Sequence, residues 1–248
     1  MAKFQMKNCR LLVLLVCFFV LQGCRDSAQY VNRGVEKFRE GDMESAIADY
    51  TRAIKADPSN SIAYYNRGLA KQKMNDLAGA IEDYSKAVEI DPGFAKAYKN
   101  RGIVRQEMGI LDKALADYNT VLELDPKDAA AYYNRGTVKL DEWDYDGAIA
   151  DFDQALELDP RNAFALRCRG DAKFQVEDFN GAIADYSQAI TVDPRYAIAY
   201  FNRGIVLERK REYSRAIKDY QKAAEISTRL KKEAEARIKI CESQLKRK

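Results

Sequence analysis

Residues 129–160 read AAAYYNRGTVKLDEWDYDGAIADFDQALELDP, and this segment holds the features that recur along the chain. Small residues stand at Gly136 and Ala148, and an aromatic residue stands at Phe152. Small residues let two antiparallel helices approach closely, while an aromatic ring fills the space beside the contact. Because proline cannot continue a helix, Pro160 marks the end of the second helix. The segment therefore predicts one helix–turn–helix unit.

The same features return every 34 residues on both sides of this segment. The glycines are Gly34, Gly68, Gly102, Gly136, Gly170 and Gly204, and the alanines are Ala46, Ala80, Ala114, Ala148, Ala182 and Ala216. The aromatic residues are Tyr50, Tyr84, Tyr118, Phe152, Tyr186 and Tyr220. Asp-Pro pairs close the first five units, and the sixth has Ser227-Thr228 instead. A period of this length predicts stacked repeats, each burying its apolar face against its neighbours.

The pattern resembles the tetratricopeptide-repeat (TPR) family over residues 27–230. The resemblance implies an all-α, right-handed superhelical solenoid with repeats at 27–60, 61–94, 95–128, 129–162, 163–196 and 197–230. Residues 231–248 then form a C-terminal capping helix, which covers the last repeat with the stripe Ala234, Ile238, Cys241 and Leu245. Cys241 and Cys168 lie on helices too far apart for a disulfide, so both are expected to be free thiols.

Arginine precedes each repeat glycine, and aspartate precedes each second-helix aromatic. The arginines are Arg33, Arg67, Arg101, Arg135, Arg169 and Arg203, and the aspartates are Asp49, Asp83, Asp117, Asp151, Asp185 and Asp219. This fixed offset predicts a bidentate ion pair between the two helices of every repeat. The alternative is twelve solvated surface charges, which would contribute little to stability.

The composition excludes most enzyme classes and general nucleic-acid binding. The 248 residues include no histidine, which removes serine–histidine–acid triads and histidine-bearing zinc sites. The net charge of +3 is accounted for by Lys3, Lys7 and Arg10, so the rest of the chain is neutral and lacks the excess of bases that phosphate binding needs. We therefore expect a protein that is not an enzyme and that needs no cofactor, no metal and no nucleic acid.

Residues 1–23 have the pattern of a secretory signal peptide. Three bases precede the unbroken apolar run 11–21, which ends shortly before Cys24. Eleven apolar residues are too few to span a bilayer, since a membrane helix needs about 20, and a permanent transmembrane anchor is therefore the weaker interpretation.

The segment Leu21-Gln22-Gly23-Cys24 resembles the lipobox of bacterial lipoproteins. The resemblance implies cleavage before Cys24 and acylation of that residue, which would tether the protein to a membrane of the bacterial envelope. Ordinary secretory cleavage with a free Cys24 thiol is the alternative. Arg25 stands where an aspartate implies inner-membrane retention in such lipoproteins, so the resemblance favours the outer membrane with the repeats facing the periplasm.

In TPR proteins the first helix of each repeat lines the ligand-binding face, which implies a peptide-binding groove here. Position six of the repeats holds asparagines whose amides suit the backbone of an extended peptide: Asn32, Asn66, Asn100, Asn134 and Asn202. Aromatic residues at position five and two bases accompany them: Tyr65, Tyr133, Phe201, Lys96 and Lys99. The alternative is that these aromatic rings pack against each other or against a second subunit.

The function that these patterns favour is a lipid-tethered adaptor that binds proteins or extended peptides of the envelope. The NlpI-like TPR lipoproteins, which dock periplasmic proteases and cell-wall enzymes, resemble it in architecture. A pilotin-like factor for assembling pilus secretins is one alternative. A self-associating structural solenoid, possible as a homodimer, is another, and it would bury Tyr65, Tyr133 and Phe201 between copies.

Overall fold

The computed structural model describes residue 23 and residues 25–246, and this part of the chain is all-α. The first helix, α1, covers residues 25–40. The others are α2 Met43–Ala56, α3 Ser61–Lys73, α4 Leu77–Ile90, α5 Ala95–Glu107, α6 Leu111–Leu124, α7 Ala129–Asp141, α8 Tyr145–Leu158, α9 Ala163–Gln175, α10 Phe179–Val192, α11 Ala197–Arg209, α12 Tyr213–Ile226 and α13 Thr228–Leu245. The expected all-α chain of helix–turn–helix repeats with a C-terminal helix is confirmed.

Short polar side chains start many of these helices. Before α7, the Asp128 side chain accepts a hydrogen bond of 2.9 Å from the backbone N–H of Ala131, and before α9 Asn162 does the same for Ala165 at 3.0 Å. Asp42, Asn60, Asp76, Asp144 and Asp178 make the equivalent bond. Each cap satisfies an N–H group that has no partner within its helix, which fixes where the helix begins.

The repeat glycines let the two helices of a repeat approach closely. A Cβ atom at Gly136 would lie 2.8 Å from Cε1 of Phe152, and one at Gly170 would lie 2.8 Å from Cε1 of Tyr186. Real Cβ atoms are not found this close to a ring, so the second-helix aromatic requires glycine opposite it. These aromatics are buried and form the centre of each repeat.

The predicted ion pair between the two helices is present in all six repeats. In the fourth, Arg135 donates from Nε and Nη2 to the two carboxylate oxygens of Asp151 at 2.9 and 2.6 Å. The other pairs are Arg33–Asp49, Arg67–Asp83, Arg101–Asp117, Arg169–Asp185 and Arg203–Asp219. The aspartates are buried in every case, so the alternative of twelve solvated charges is wrong.

The described part of the chain divides into two compact units, with the boundary between Leu124 and Asp125. The described part of the first unit contains α1–α6, and its core is built around Tyr50, Tyr84 and Tyr118. The second unit contains α7–α13, and Phe152, Tyr186 and Tyr220 take the same role there.

Helix α13 packs on the last repeat through part of its predicted stripe. Ala234 and Cys241 are fully buried in a cluster with Tyr220, and Ile238 packs against that cluster. Leu245, the last residue of the helix, is 40% exposed, so this end of the stripe is exposed, unlike the other three positions. The helix also begins earlier than residue 231, at Thr228, directly after the extended Ser227.

The first turn of α1 is tied to its neighbours by Ser27. This side chain is completely buried, donates to the carbonyl oxygen of Ala53 at 2.9 Å and accepts from Nδ2 of Asn60 at 3.0 Å.

The lipidation site at Cys24 and all but the last residue of the predicted signal peptide lie outside the described part of the chain. Within the described part, no helix is both long and apolar enough to cross a membrane.

Candidate functional site

The structure places part of the predicted groove in the first unit. Tyr65 and Asn100 meet there, with Asn100 Nδ2 donating to the Tyr65 hydroxyl at 3.0 Å. The Tyr65 ring also lies against Phe94, with ring centroids 4.8 Å apart. Of the other predicted residues in this unit, Asn32 and Lys96 are exposed, and Asn66 and Lys99 are half-buried.

The position-five aromatics point mainly into their own repeats. The ring centroid of Phe201 lies 5.4 Å from that of Tyr220, and Phe201 is only 6% exposed. The assignment of Phe201 to an open groove was therefore wrong, because its apolar ring is better buried against the second helix than left in water. Tyr133 is half-buried and lies 6.1 Å from Phe152. Packing against second-helix aromatics thus accounts for the positions of these rings without a second subunit.

The fifth repeat contains a polar network that the sequence patterns did not single out. Asp171 accepts hydrogen bonds from the Tyr186 hydroxyl at 2.7 Å and from Nδ2 of Asn202 at 2.8 Å. Its other carboxylate oxygen pairs with Nη1 of Arg167. Arg167 Nε donates to the Tyr196 hydroxyl at 2.9 Å. The predicted groove residue Asn202 is therefore engaged by a neighbouring repeat, while Asn134 of the fourth repeat is half-buried.

Burial controls the ionisation of this network. Burial raises the pKa of the Asp171 carboxyl, while Arg167 and the hydrogen bonds from Tyr186 and Asn202 oppose that shift. Burial also raises the pKa of the Cys168 thiol to about 11, although Arg167 Nη2 lies 2.9 Å from its sulfur. Cys168 is therefore an uncharged, unreactive thiol at neutral pH, as expected for a free structural cysteine. Because the Asp171 carboxylate is paired with the Arg167 guanidinium, the network is a polar patch without net charge.

An open groove of about 460 Å³ lies beside this network, between α7, α9 and α11 of the second unit. Its apolar lining comes from Leu140, Trp143, Tyr145, Phe174, Ile205 and Val206, and its polar lining from Asp141, Asp171, Gln175, Tyr186 and Asn202. We call it the Trp143 groove. Apolar walls with a few precisely placed polar groups are the usual composition of a ligand-binding pocket.

Trp143 is the most exposed large apolar residue at this site. Its side chain is 75% exposed, and its ring meets Tyr145 edge-on with centroids 6.3 Å apart. Two features of the sequence indicate that Trp143 is unusual. It is the only tryptophan of the chain, and it stands at the repeat position that Gly41 and Gly109 occupy in two other repeats. Likewise, Asp171 is the only charged residue at position nine of any repeat. Comparing the repeats position by position for their exceptions would have found both.

Family models agree with the repeat architecture. Models described as tetratricopeptide repeat match residues 61–94, 95–128, 129–162 and 197–229, and one described as TPR repeat matches 34–75 and 170–210. The chain belongs to the TPR family. The TPR fold is typically a scaffold for protein interaction rather than a catalytic one.

Solved structures of other TPR proteins are similar to this chain. MamA is 26% identical with a TM-score of 0.63, and the match covers 66% of this chain and 96% of MamA. YrrB, described as a TPR protein with an unusual peptide-binding site, is 24% identical with a TM-score of 0.65 over 75% of this chain and 97% of YrrB. PilF of Pseudomonas aeruginosa is 18% identical with a TM-score of 0.71 over 90% and 99%. At these identities YrrB and PilF establish the fold alone.

No curated protein sequence matches this chain. Within the described residues, no group of histidine, cysteine, aspartate or glutamate side chains is placed to hold a metal ion. The family matches support a TPR scaffold that binds proteins or peptides.

Proposed function

We propose that this protein is a lipid-anchored TPR scaffold of the bacterial envelope and that the Trp143 groove holds a segment of a partner protein. The observation that carries the binding site is the groove itself, where a 75% exposed tryptophan stands beside apolar walls and an ordered polar patch. Tryptophan is among the residues that most often dominate the energy of protein–protein binding once a partner buries them.

The lipid anchor is supported by residues 1–24. A basic start, an apolar run and a small residue before Cys24 form a lipobox-like sequence, and a diacylated cysteine holds a protein stably at a membrane. Ser27 fixes the first turn of α1 only three residues after Cys24, so the anchor would sit on a folded helix and not on a flexible tether. The first repeat would then lie against the lipid headgroups, with the outer membrane favoured by Arg25.

The anchor is tested by the substitution Cys24→Ser. We expect this variant to accumulate as the uncleaved precursor and to incorporate no radiolabelled palmitate, whereas the wild-type chain is cleaved and labelled. Gln22→Ala serves as the control, because it changes the same segment without removing the acylated residue. Normal cleavage and membrane fractionation of Cys24→Ser would show that the protein is not a lipoprotein.

The binding site is tested by photo-crosslinking in the bacterium. A photoreactive amino acid replaces either Gln175, which lines the groove, or Gln188, an exposed glutamine on α10 that does not line it. We expect discrete adducts with envelope proteins from position 175 and none from position 188. Equal adducts from both positions would contradict the groove as the binding site. An adduct between two copies of the chain would favour the self-associating alternative.

A further inference from the structure

The turn between the two helices of each repeat holds one residue in the left-handed backbone conformation. In order along the chain these residues are Gly41, Asn75, Gly109, Trp143, Glu177 and Arg211. Glycine adopts this conformation without strain and asparagine tolerates it, whereas large side chains do so at a cost. Trp143 at φ 66°, Glu177 at φ 62° and Arg211 at φ 61° are such cases. Trp143 lines the groove described above, and Arg211 lines a second cavity of the same unit. Residues strained in this way cluster at functional sites.

Arg211 lines a second cavity of about 670 Å³ in the same unit. Phe174 and Ile205 belong to the linings of both this cavity and the Trp143 groove, so the two adjoin at these residues on α9 and α11, and we call the pair the channel. Arg209 and Arg237 also line it. Arg237 is paired with Glu208, but within the described residues neither Arg209 nor Arg211 forms an ion pair. This end of the channel therefore presents two unneutralised positive charges.

The opposite end of the channel is negative. Asp141 lines the groove beside Trp143, and its neighbours Glu142 and Asp144 are exposed on the same turn. The channel thus runs from acidic side chains, past the exposed tryptophan ring, to basic side chains at Arg209 and Arg211. Opposite charges at two ends of one groove select both the composition and the orientation of a bound chain.

We propose that this channel takes an extended peptide segment of a partner protein, with a bulky apolar residue beside Trp143, basic residues on one side of it and acidic residues on the other. The basic residues lie toward Asp141 and Glu142, and the acidic residues lie toward Arg209 and Arg211. The proposal rests on the proposed function and adds the chemistry of the partner segment. Trp143 and Arg211 are then specificity-determining residues of the scaffold.

Three fluorescein-labelled peptides of identical composition test the charge pattern: KKSGFSGEE, EESGFSGKK and KESGFSGEK. The first two separate the charges in the two possible chain directions, and the third mixes them. Binding to the mature chain is measured by fluorescence anisotropy at low ionic strength, where charge effects are least screened. We expect one separated peptide to bind at least about tenfold more tightly than the mixed peptide, because only it can satisfy both ends.

Charge-reversal variants show whether the channel is responsible. R209E/R211E should abolish the preference for the separated peptide. K127E/R161E is the matched control, because it reverses two exposed bases of the same unit in the turns between repeats, and it should keep the preference. Binding of all three peptides within twofold, no binding of any of them up to about 1 mM, or equal behaviour of the two double variants would overturn the proposal.

The variants Trp143→Gly and Arg211→Gly separate recognition from folding. Glycine relieves the left-handed strain at both positions, as at Gly41 and Gly109, so the melting temperature should stay the same or rise. Binding of the preferred peptide should nevertheless weaken at least about fivefold. Lower melting temperatures with unchanged peptide binding would assign both residues a structural role only and overturn the proposal.

The peptide assay and the photo-crosslinking assay can fail separately. If adducts still form from position 175 while no peptide is preferred, the scaffold function stands and the charge pattern is wrong. If the peptide preference is present while position 175 gives no adducts in the bacterium, the channel recognises the pattern but the proposed envelope scaffold is wrong.

Discussion

Removing Arg203 should destabilise the second unit much more than removing Arg169. Each arginine forms the bidentate pair of its repeat, with Asp219 and Asp185 respectively. Asp185 has a second cation, since Lys173 Nζ lies 2.9 Å from its carboxylate. Asp219 has Arg203 as its only ion-pair partner within the described residues, because Leu207 stands at the position equivalent to Lys173.

The magnitudes follow from what remains after each substitution. Arg203→Leu leaves the Asp219 carboxylate, whose side chain is 9% exposed, buried without a cation. Leaving a buried charge unpaired costs about 3–5 kcal/mol, and the residual exposure of Asp219 places the value near the lower limit, at about 3 kcal/mol. Arg169→Leu leaves Asp185 paired with Lys173, and the half-exposed Asp153 can be hydrated in place of its ion pair with Arg169. We therefore expect the free energy of unfolding to fall by about 1 kcal/mol. The difference of about 2 kcal/mol is roughly a 30-fold change in the local folding equilibrium.

Hydrogen–deuterium exchange on α9–α12 is the suitable assay, because repeat proteins can open locally and need not unfold in one step. Urea unfolding followed by circular dichroism gives the global value beside it. The double variant Arg203→Leu/Asp219→Leu should recover most of the loss, since no buried charge remains. Equal losses for Arg203→Leu and Arg169→Leu, or strictly additive losses in the double variant, would refute the reasoning.

Other features of the structure make further predictions. Gly136→Ala should destabilise the protein by about 1–2 kcal/mol in urea unfolding, because crowding against the buried Phe152 ring outweighs the gain of about 1 kcal/mol in helix propensity; a more stable variant would contradict that contact. Ser27→Ala should cost about 1–3 kcal/mol, because the carbonyl oxygen of Ala53 and the side-chain amide of Asn60 each lose the buried hydroxyl as a hydrogen-bond partner. Faster amide exchange confined to α1–α3 would locate the effect, and unchanged exchange there would contradict these hydrogen bonds. Burial raises the pKa of Cys168 and Cys241 to about 11, from an ordinary value of 9.0. The folded state thus holds these protons longer than the unfolded state, and the corresponding stability is present below pH 9 and lost as the pH rises through 11. The double alanine variant should flatten the fall in urea midpoint between pH 9 and 11, and an unchanged slope would contradict the assignment.

The sequence by itself determined the repeat architecture, because the fold is built from local rules repeated six times. Glycine opposite an aromatic ring, and proline after the second helix of the first five repeats, act within one unit, so their spacing can be read without coordinates. The pair Arg135–Asp151 was predictable for the same reason, since a fixed offset within a repeat fixes which side chains of the two helices meet.

Only the tertiary structure decided which side chains line a groove and which are buried in their own repeat. Position five looked open from the sequence, yet Phe201 is buried, because the direction of a side chain depends on the second helix that packs against it. The groove beside Trp143 depends on α7, α9 and α11 lying side by side, which brings together residues from three different repeats. Asp171 contacts Arg167, Tyr186 and Asn202 only because of that packing. A sequence pattern that treats all repeats as equivalent does not reveal a residue that occurs in one repeat alone.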